Sequence, residues 1–341
     1  MGFYRLPNGN VIEDPTNEAM LKRVRNCRIA LALLAIILAS IFGPVEGARP
    51  PQLSGYKAVP IHYGRLNKMI MSVRINGQPA NLLVDTGSNQ VILDATAAEL
   101  FGVRPSQRAE GLARPTVEGF RYIRLTQING QELPVGFAQS LTAGSMSFGS
   151  VLVALRNSSR QDSGNARVDG VLGLDILGRY KAVINCRTKL VFFKVDQARQ
   201  THLSSAASAE KFTRIPLRRE ENGALTVPCS IHGQSVRLLV DTGAFITTFH
   251  EAFVRSLGIP LKATRVSAHF ARGTSRKVNA GQISDLKIGA FQAPSGKFGV
   301  TALPNFALRQ GGARVSGILG IDTLYDYHAI IDLDGMNLFL K

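Results

Sequence analysis

The chain of 341 residues has no tryptophan, only 7% aromatic residues and three cysteines. So few cysteines exclude a disulfide-dense mini-scaffold. The six histidines are scattered without metal-ligand spacing, so no metal is expected. There is no zinc-finger spacing, no RNP-type aromatic motif, no lysine-rich tail and no long block of like charge. Acidic residues are scarce, 24 against 40 lysines and arginines, which leaves a formal charge of +16.

That excess invites a nucleic-acid or anionic-surface reading, but it is spread out. Residues 1–54 carry +2, residues 55–200 carry +8 and residues 201–341 carry +6. An even spread is a property of the surface, and no nucleic-acid partner is expected. Apolar residues make up 45% and charged ones 19%, which excludes a wholly disordered chain. The length suits two domains, each able to bury a core.

Residues 29–42, IALALLAIILASIF, form an almost unbroken apolar run preceded by Lys22, Arg23, Arg25 and Arg28. The run falls short of the ~20 residues that cross a bilayer comfortably. A basic segment, a short apolar segment and small residues after it match a secretory signal. An uncleaved anchor, basic side inward, is the alternative. The expectation is an exported protein, periplasmic or extracellular, anchored to the membrane through residues 29–42 if the segment stays uncleaved. Met20 offers a second start that would give a signal of ordinary length.

The rest of the chain repeats itself. RINGQPANLLVDTGSNQVILD at 74–94 and SIHGQSVRLLVDTGAFITTFH at 230–250 share a frame at an offset of 156 residues. VDGVLGLDIL at 168–177 and VSGILGIDTL at 315–324 share another at an offset of 147. Each half predicts a hairpin turning at Asn76-Gly77 or His232-Gly233. The second strand of that hairpin ends in Asp-Thr-Gly. A β-rich middle, an apolar strand, a glycine, a short helix and a final hairpin follow. Asp175 and Asp322 are expected as caps of the short helices. The boundaries follow: a leader over 1–54, a first lobe over 55–200, a small and polar linker over 201–210, and a second lobe over 211–341. Residues 48–66 read either as a pro-segment or as a first strand and linker.

One Asp-Thr-Gly turn carries little information, since all three are ordinary turn residues. Two identical LLVDTG segments in equivalent places carry much more. A pseudo-twofold axis between the halves would bring Asp85 and Asp241 face to face. Two carboxylates that close cannot both ionise easily, so the pair holds one proton. The ionised member can take a proton from water while the other donates to a carbonyl oxygen. That is hydrolysis with neither metal nor nucleophilic side chain. Gly87 gives the turn conformational freedom and lets a partner approach. The Thr86 hydroxyl can brace the turn.

These turns, with Val171-Leu172-Gly173 and Ile318-Leu319-Gly320 downstream, resemble aspartic proteases of the pepsin and retropepsin group, in particular bacterial retropepsin-like domains in tandem. The resemblance covers roughly 70–200 and 225–341. It implies an all-β fold of two pseudo-symmetric β-barrel lobes, each with a short helix, around a central cleft. It also implies an endopeptidase acting on polypeptides without a cofactor. Asp85 and Asp241 would form its dyad. Thr86, Thr242, Gly87 and Gly243 match the bracing residues and turn glycines. Retropepsins are homodimers, whereas this chain carries both halves, so a monomer is expected. Ser88 follows the first motif and Ala244 the second. A serine hydroxyl can bond the neighbouring carboxylate, so Asp85 is expected to be the ionised partner.

A flap should lie between the motifs, at Asn129-Gly130 or Gly273-Thr274, with Tyr122 near the first and read as a packing residue. His250 and His269 read as surface or packing residues. Cys186 and Cys229 read as buried small hydrophobes, with a bridge between them as the alternative. Two other functions are open at this stage: a peptide-binding protein on the same fold that does not cleave, and an anionic-surface or nucleic-acid binder.

Overall fold

The computed structural model describes residues 53–64, 67–106, 125–128, 131–157, 167–270, 275–310 and 313–341. The apolar run at 29–42 lies outside them, as do Tyr122, Asn129, Gly130, Gly273 and Thr274. Among the described residues, no helix is long and apolar enough to cross a membrane.

In the first half the strands Met69–Ile75 and Gln78–Val84 form the expected hairpin, with Ile75 opposite Gln78. In the second, Leu225–Ile231 and Gln234–Val240 do the same, with Ile231 opposite Gln234. Both two-residue turns need positive φ. Asn76 (49°) and Gly77 (82°) supply it in one, His232 (49°) and Gly233 (74°) in the other. Alternation sets the faces: Met69, Met71, Val73 and Ile75 are buried, while Ser72 and Arg74 point outward.

Each half then threads an apolar strand between two others. Gly170–Leu172 runs parallel to Gln78–Val84 and antiparallel to Ile92–Asp94. Gly317–Leu319 runs parallel to Gln234–Val240 and antiparallel to Thr248–His250. The glycines that flank these strands have no room for a side chain. A Cβ on Gly170 would lie 2.2 Å from the Ile92 carbonyl oxygen, and one on Gly173 would lie 2.4 Å from that of Gln90. Gly317 and Gly320 are crowded by the backbone in the same way, by Thr248 and Ile246.

In the first lobe six strands close on themselves, because Met69–Ile75 pairs with both Gln78–Val84 and Gln131–Ala143. In the second lobe the ten-stranded sheet shows no closing pair among the described residues. The hairpin Leu125–Ile128 with Gln131–Ala143 brackets the first expected flap turn. The hairpin Leu261–His269 with Ser275–Ile283 brackets the second.

The final hairpins of the two halves join in one antiparallel six-stranded sheet. At its centre Val183 pairs with Asp332, Ile184 with Ile331 and Asn185 with Ile330. Under the 147-residue offset Ile184 and Ile331 are equivalent, so the pseudo-twofold axis passes between them. Tyr56–Pro60 is the outer strand on one side and Thr213–Pro216 on the other. Residues 56–60, inside the stretch read as a pro-segment or first strand, are therefore sheet.

The segment 201–210, expected as a linker, does pass from one half to the other, but it contains the helix Leu203–Ala209 with Ala207 buried. Its alanines give up no side-chain entropy in a helix. One continuous core spans both halves and includes Leu172, Ile184, Phe193, Val240, Leu319 and Ile331. Burial of each such side chain is worth about 1.5–3 kcal/mol.

Candidate active site

Asp85 and Asp241 follow directly on the buried ends of their strands, at Val84 and Val240. The apolar-apolar-Gly motif holds each in place. The Asp85 N–H donates to the Leu172 carbonyl (3.1 Å) and the Asp241 N–H to that of Leu319 (3.0 Å). On the far side of each turn, the Leu174 N–H donates to Ser88 and the Ile321 N–H to Ala244, both at 2.8 Å.

The threonines brace the turns across the axis. The Thr86 hydroxyl donates to the Val240 carbonyl (2.8 Å) and accepts from the Thr242 N–H (3.1 Å). The Thr242 hydroxyl donates to the Val84 carbonyl (2.8 Å) and accepts from the Thr86 N–H (3.0 Å). Both are buried, so each of the four bonds stands in place of a water contact.

The glycines act through space and not through conformational freedom, a correction to the expectation for Gly87. Neither Gly87 nor Gly243 has a positive φ. A Cβ on Gly87 would lie 2.4 Å from the Asp241 carboxyl carbon, and one on Gly243 would lie 2.5 Å from that of Asp85. Each carboxylate packs against the glycine of the opposite half.

The hydrogen bond expected to favour an ionised Asp85 is absent. The Ser88 hydroxyl donates to the Gln90 carbonyl (3.0 Å), not to a carboxylate. Asp241 Oδ1 accepts two N–H bonds, from Gly243 (2.9 Å) and Ala244 (3.0 Å). Asp85 Oδ1 accepts one, from Gly87 (2.7 Å). Burial first, and then the facing charge of Asp241, lift the Asp85 carboxyl well above the usual carboxylate range. Burial also raises Asp241, but bonds from Asp85 and from the Ala244 and Gly243 amides oppose it. The pair shares one proton, and the second amide bond favours the charge on Asp241 over Asp85.

Asp175 and Asp322 are not caps. Gly173 and Gly320 occupy those positions, and each aspartate sits in the first turn of its helix, Leu174–Arg179 or Ile321–Asp326. Asp175 accepts the Val91 N–H (3.1 Å), and Asp322 accepts the Thr247 N–H (2.8 Å). They tie the short helices to the chain just beyond each Asp-Thr-Gly turn.

Above the carboxylates lies a cavity of about 330 Å³, a size suited to several side chains. Two small apolar clusters wall it, one per lobe. Ile92 and Val171, with Leu83 against them, face it from the first. Leu239, Ile318 and Leu303, with Phe270 and Phe306, face it from the second. The Gln90 side chain meets Thr126 at 3.4 Å, so the Leu125–Ile128 hairpin reaches the first turn. Lys68 and Arg156 also line the cavity. Sequence reasoning passed them over; setting Lys68 beside its repeat partner Ala224 would have singled it out.

The remaining candidates are structural. Cys186 and Cys229 are free and buried, and burial pushes both thiols up to about 12. His250 Nδ1 accepts the Leu303 N–H (3.2 Å), and burial first, then Arg314, hold its pKa below the ordinary value. His269 is exposed at the cavity rim. Among the described residues, no group of three or more His, Cys, Asp or Glu could hold a metal ion.

No curated protein matches the chain. The fold is similar to that of an aspartic proteinase from Irpex lacteus, at 15% identity and a TM-score of 0.44, covering 84% of this chain and 96% of that one. It is also similar to basic 7S globulin from soybean, at 12% identity and a TM-score of 0.45, covering 85% and 95%. The family model described as aspartyl protease matches residues 71–176 and 227–323. Those segments hold both Asp-Thr-Gly turns and both apolar-apolar-Gly motifs, and they span more than half of the sequence. The chain belongs to the aspartyl protease family.

Proposed function

We propose that the protein is an aspartic-type endopeptidase that hydrolyses polypeptides with a water activated between Asp85 and Asp241. The observation that carries this reading is the unequal carboxylate pair on the floor of the cavity. Ionised Asp241 takes a proton from water as the water oxygen bonds to the peptide carbonyl carbon. Protonated Asp85 gives its proton to the carbonyl oxygen, which yields a neutral gem-diol. Asp241 then passes its proton to the leaving nitrogen, Asp85 takes one back from a diol hydroxyl, and the C–N bond breaks. The dyad ends as it began.

Cleavage of a peptide library across pH 3 to 8 tests this. Asp85→Asn and Asp241→Asn should each abolish turnover while leaving the fold intact, and unchanged turnover in either would refute the dyad. Because both pKa values are raised, the acid limb of the rate profile should lie above the free-carboxylate value of about 3.9. A chain that binds peptides at every pH and cuts none is a binding protein on this fold.

The proposal also places the enzyme outside the cytoplasm, because residues 29–42 follow four basic residues in the manner of an export signal, and makes it a monomer, because one chain carries both halves of the dyad. Fractionation tests it: full-length protein found wholly in the cytosol would sink it.

A further inference from the structure

The two walls of the cavity come from equivalent positions of the repeat, yet they differ in charge. Lys68 precedes the strand Met69–Ile75, and its equivalent Ala224 precedes Leu225–Ile231. Both line the cavity. Arg156 lies beside Asp94 in the sheet, and its equivalent Thr301 lies beside His250. Thr301 is buried and its hydroxyl donates to the Lys277 carbonyl (2.7 Å), so it offers nothing to the cavity. The first half thus presents two cations where the second presents a methyl group and a hidden hydroxyl.

Neither cation is paired with a carboxylate among the described residues at salt-bridge distance. Burial lowers the Lys68 pKa. Arg156 acts on Asp85, whose pKa it pulls down. Among the described residues, the other ionisable groups lining the cavity are Asp85, Asp241 and His269 at the rim. A dyad sharing one proton carries one negative charge against two positive ones. A half-buried cation without a partner is costly until an anion joins it. The opposite wall carries an apolar patch of Leu303 with Phe270 and Phe306.

We propose that the cavity selects polypeptides with an acidic side chain seated between Lys68 and Arg156 on the first-lobe side. A bulky apolar side chain then lies against the second-lobe wall, on the other side of the bond placed over the dyad. This rests on the reading of the cavity as a peptide site, and its test includes an arm that needs no cleavage.

Fluorescent peptides that differ at one position, Glu or Gln, next to Phe are titrated onto the Asp241→Asn protein, and the same pair is given to wild type as substrates. The Glu peptide should be favoured about tenfold, the worth of one charge-assisted hydrogen bond. Lys68→Ala and Arg156→Thr, which install the residues of the second lobe, should each lower that ratio, and together they should bring it near one. Raising salt on the unaltered cavity should lower it too, independently of either variant. Equal affinity for Glu and Gln peptides, or a preference that survives the double variant, overturns the proposal. Selective binding without cleavage supports it while refuting the hydrolase. Cleavage without selectivity refutes it and leaves the hydrolase standing.

Discussion

Asp85 and Asp241 have the same residues before them in sequence and different hydrogen bonds around them in space. The extra N–H from Ala244 favours a charge on Asp241 over one on Asp85. This decides how the pair acts on stability. A carboxyl whose folded pKa is raised stabilises the fold fully below the unfolded value of about 3.9, and that stability is lost as pH rises through the folded pKa. Asp85→Asn removes one titrating group. The melting temperature of that variant minus that of wild type should therefore grow between pH 3 and pH 7, and a flat difference would show that the pair does not bear this strain. The matched LLVDTG segments made both aspartates and both bracing threonines legible. The direction of the asymmetry was not, because it turns on which amide reaches which oxygen. Ser88 carries the hydroxyl that invites the opposite answer, but that hydroxyl is spent on the Gln90 carbonyl.

At the scale of the element, the threaded strands Gly170–Leu172 and Gly317–Leu319 set the height of each aspartate. Their glycines are fixed by contact, whereas the turn glycine Gly77 is fixed by backbone conformation. Gly77 has a φ of 82° and nothing within 4 Å of a would-be Cβ. Gly77→Ala should therefore cost only about 1–2 kcal/mol, the strain of a left-handed alanine. Gly173→Ala must push the Gln90 backbone away and loosen the Asp85 turn with it. It should shift the urea midpoint further than Gly77→Ala and also depress turnover, while Gly77→Ala leaves turnover nearly unchanged. Urea melts with an activity assay check both. The repeat predicted the order of strands, turns and short helices, since hairpin chemistry and apolar alternation are local. It did not predict the partners of Asp175 and Asp322. These aspartates look like caps in sequence, but their carboxylates reach the Val91 and Thr247 amides, 84 and 75 residues away.

At the scale of the molecule, the six-stranded sheet welds the halves, and a partly buried charge cluster lies beside it. Lys194, 4% exposed, bonds Asp334 at 2.6 Å, and Lys181 adds a second ion pair to Asp334 at 3.1 Å. Burial pushes the Asp334 carboxyl up, but the two lysines outweigh it and hold the pKa below the ordinary value. The stability Asp334 supplies is therefore present above the unfolded pKa and lost as pH falls through the folded one, opposite in sign to the dyad. Asp334→Asn strands the Lys194 ammonium and should cost about 3–5 kcal/mol at neutral pH. The variant should also lose less stability than wild type on acidification from pH 5 to pH 2, which thermal melts across that range would show.

The welded sheet has a kinetic consequence as well. Two separate chains that share a dyad between them form the site only by collision, and dilution takes it apart. Here the final hairpins of both halves lie side by side on one backbone, Ile184 against Ile331. The encounter of the carboxylates is part of folding, and the effective concentration of one half for the other is set by the connecting segment 195–212. The proposed activity, measured per molecule, should then be independent of how scarce the protein is.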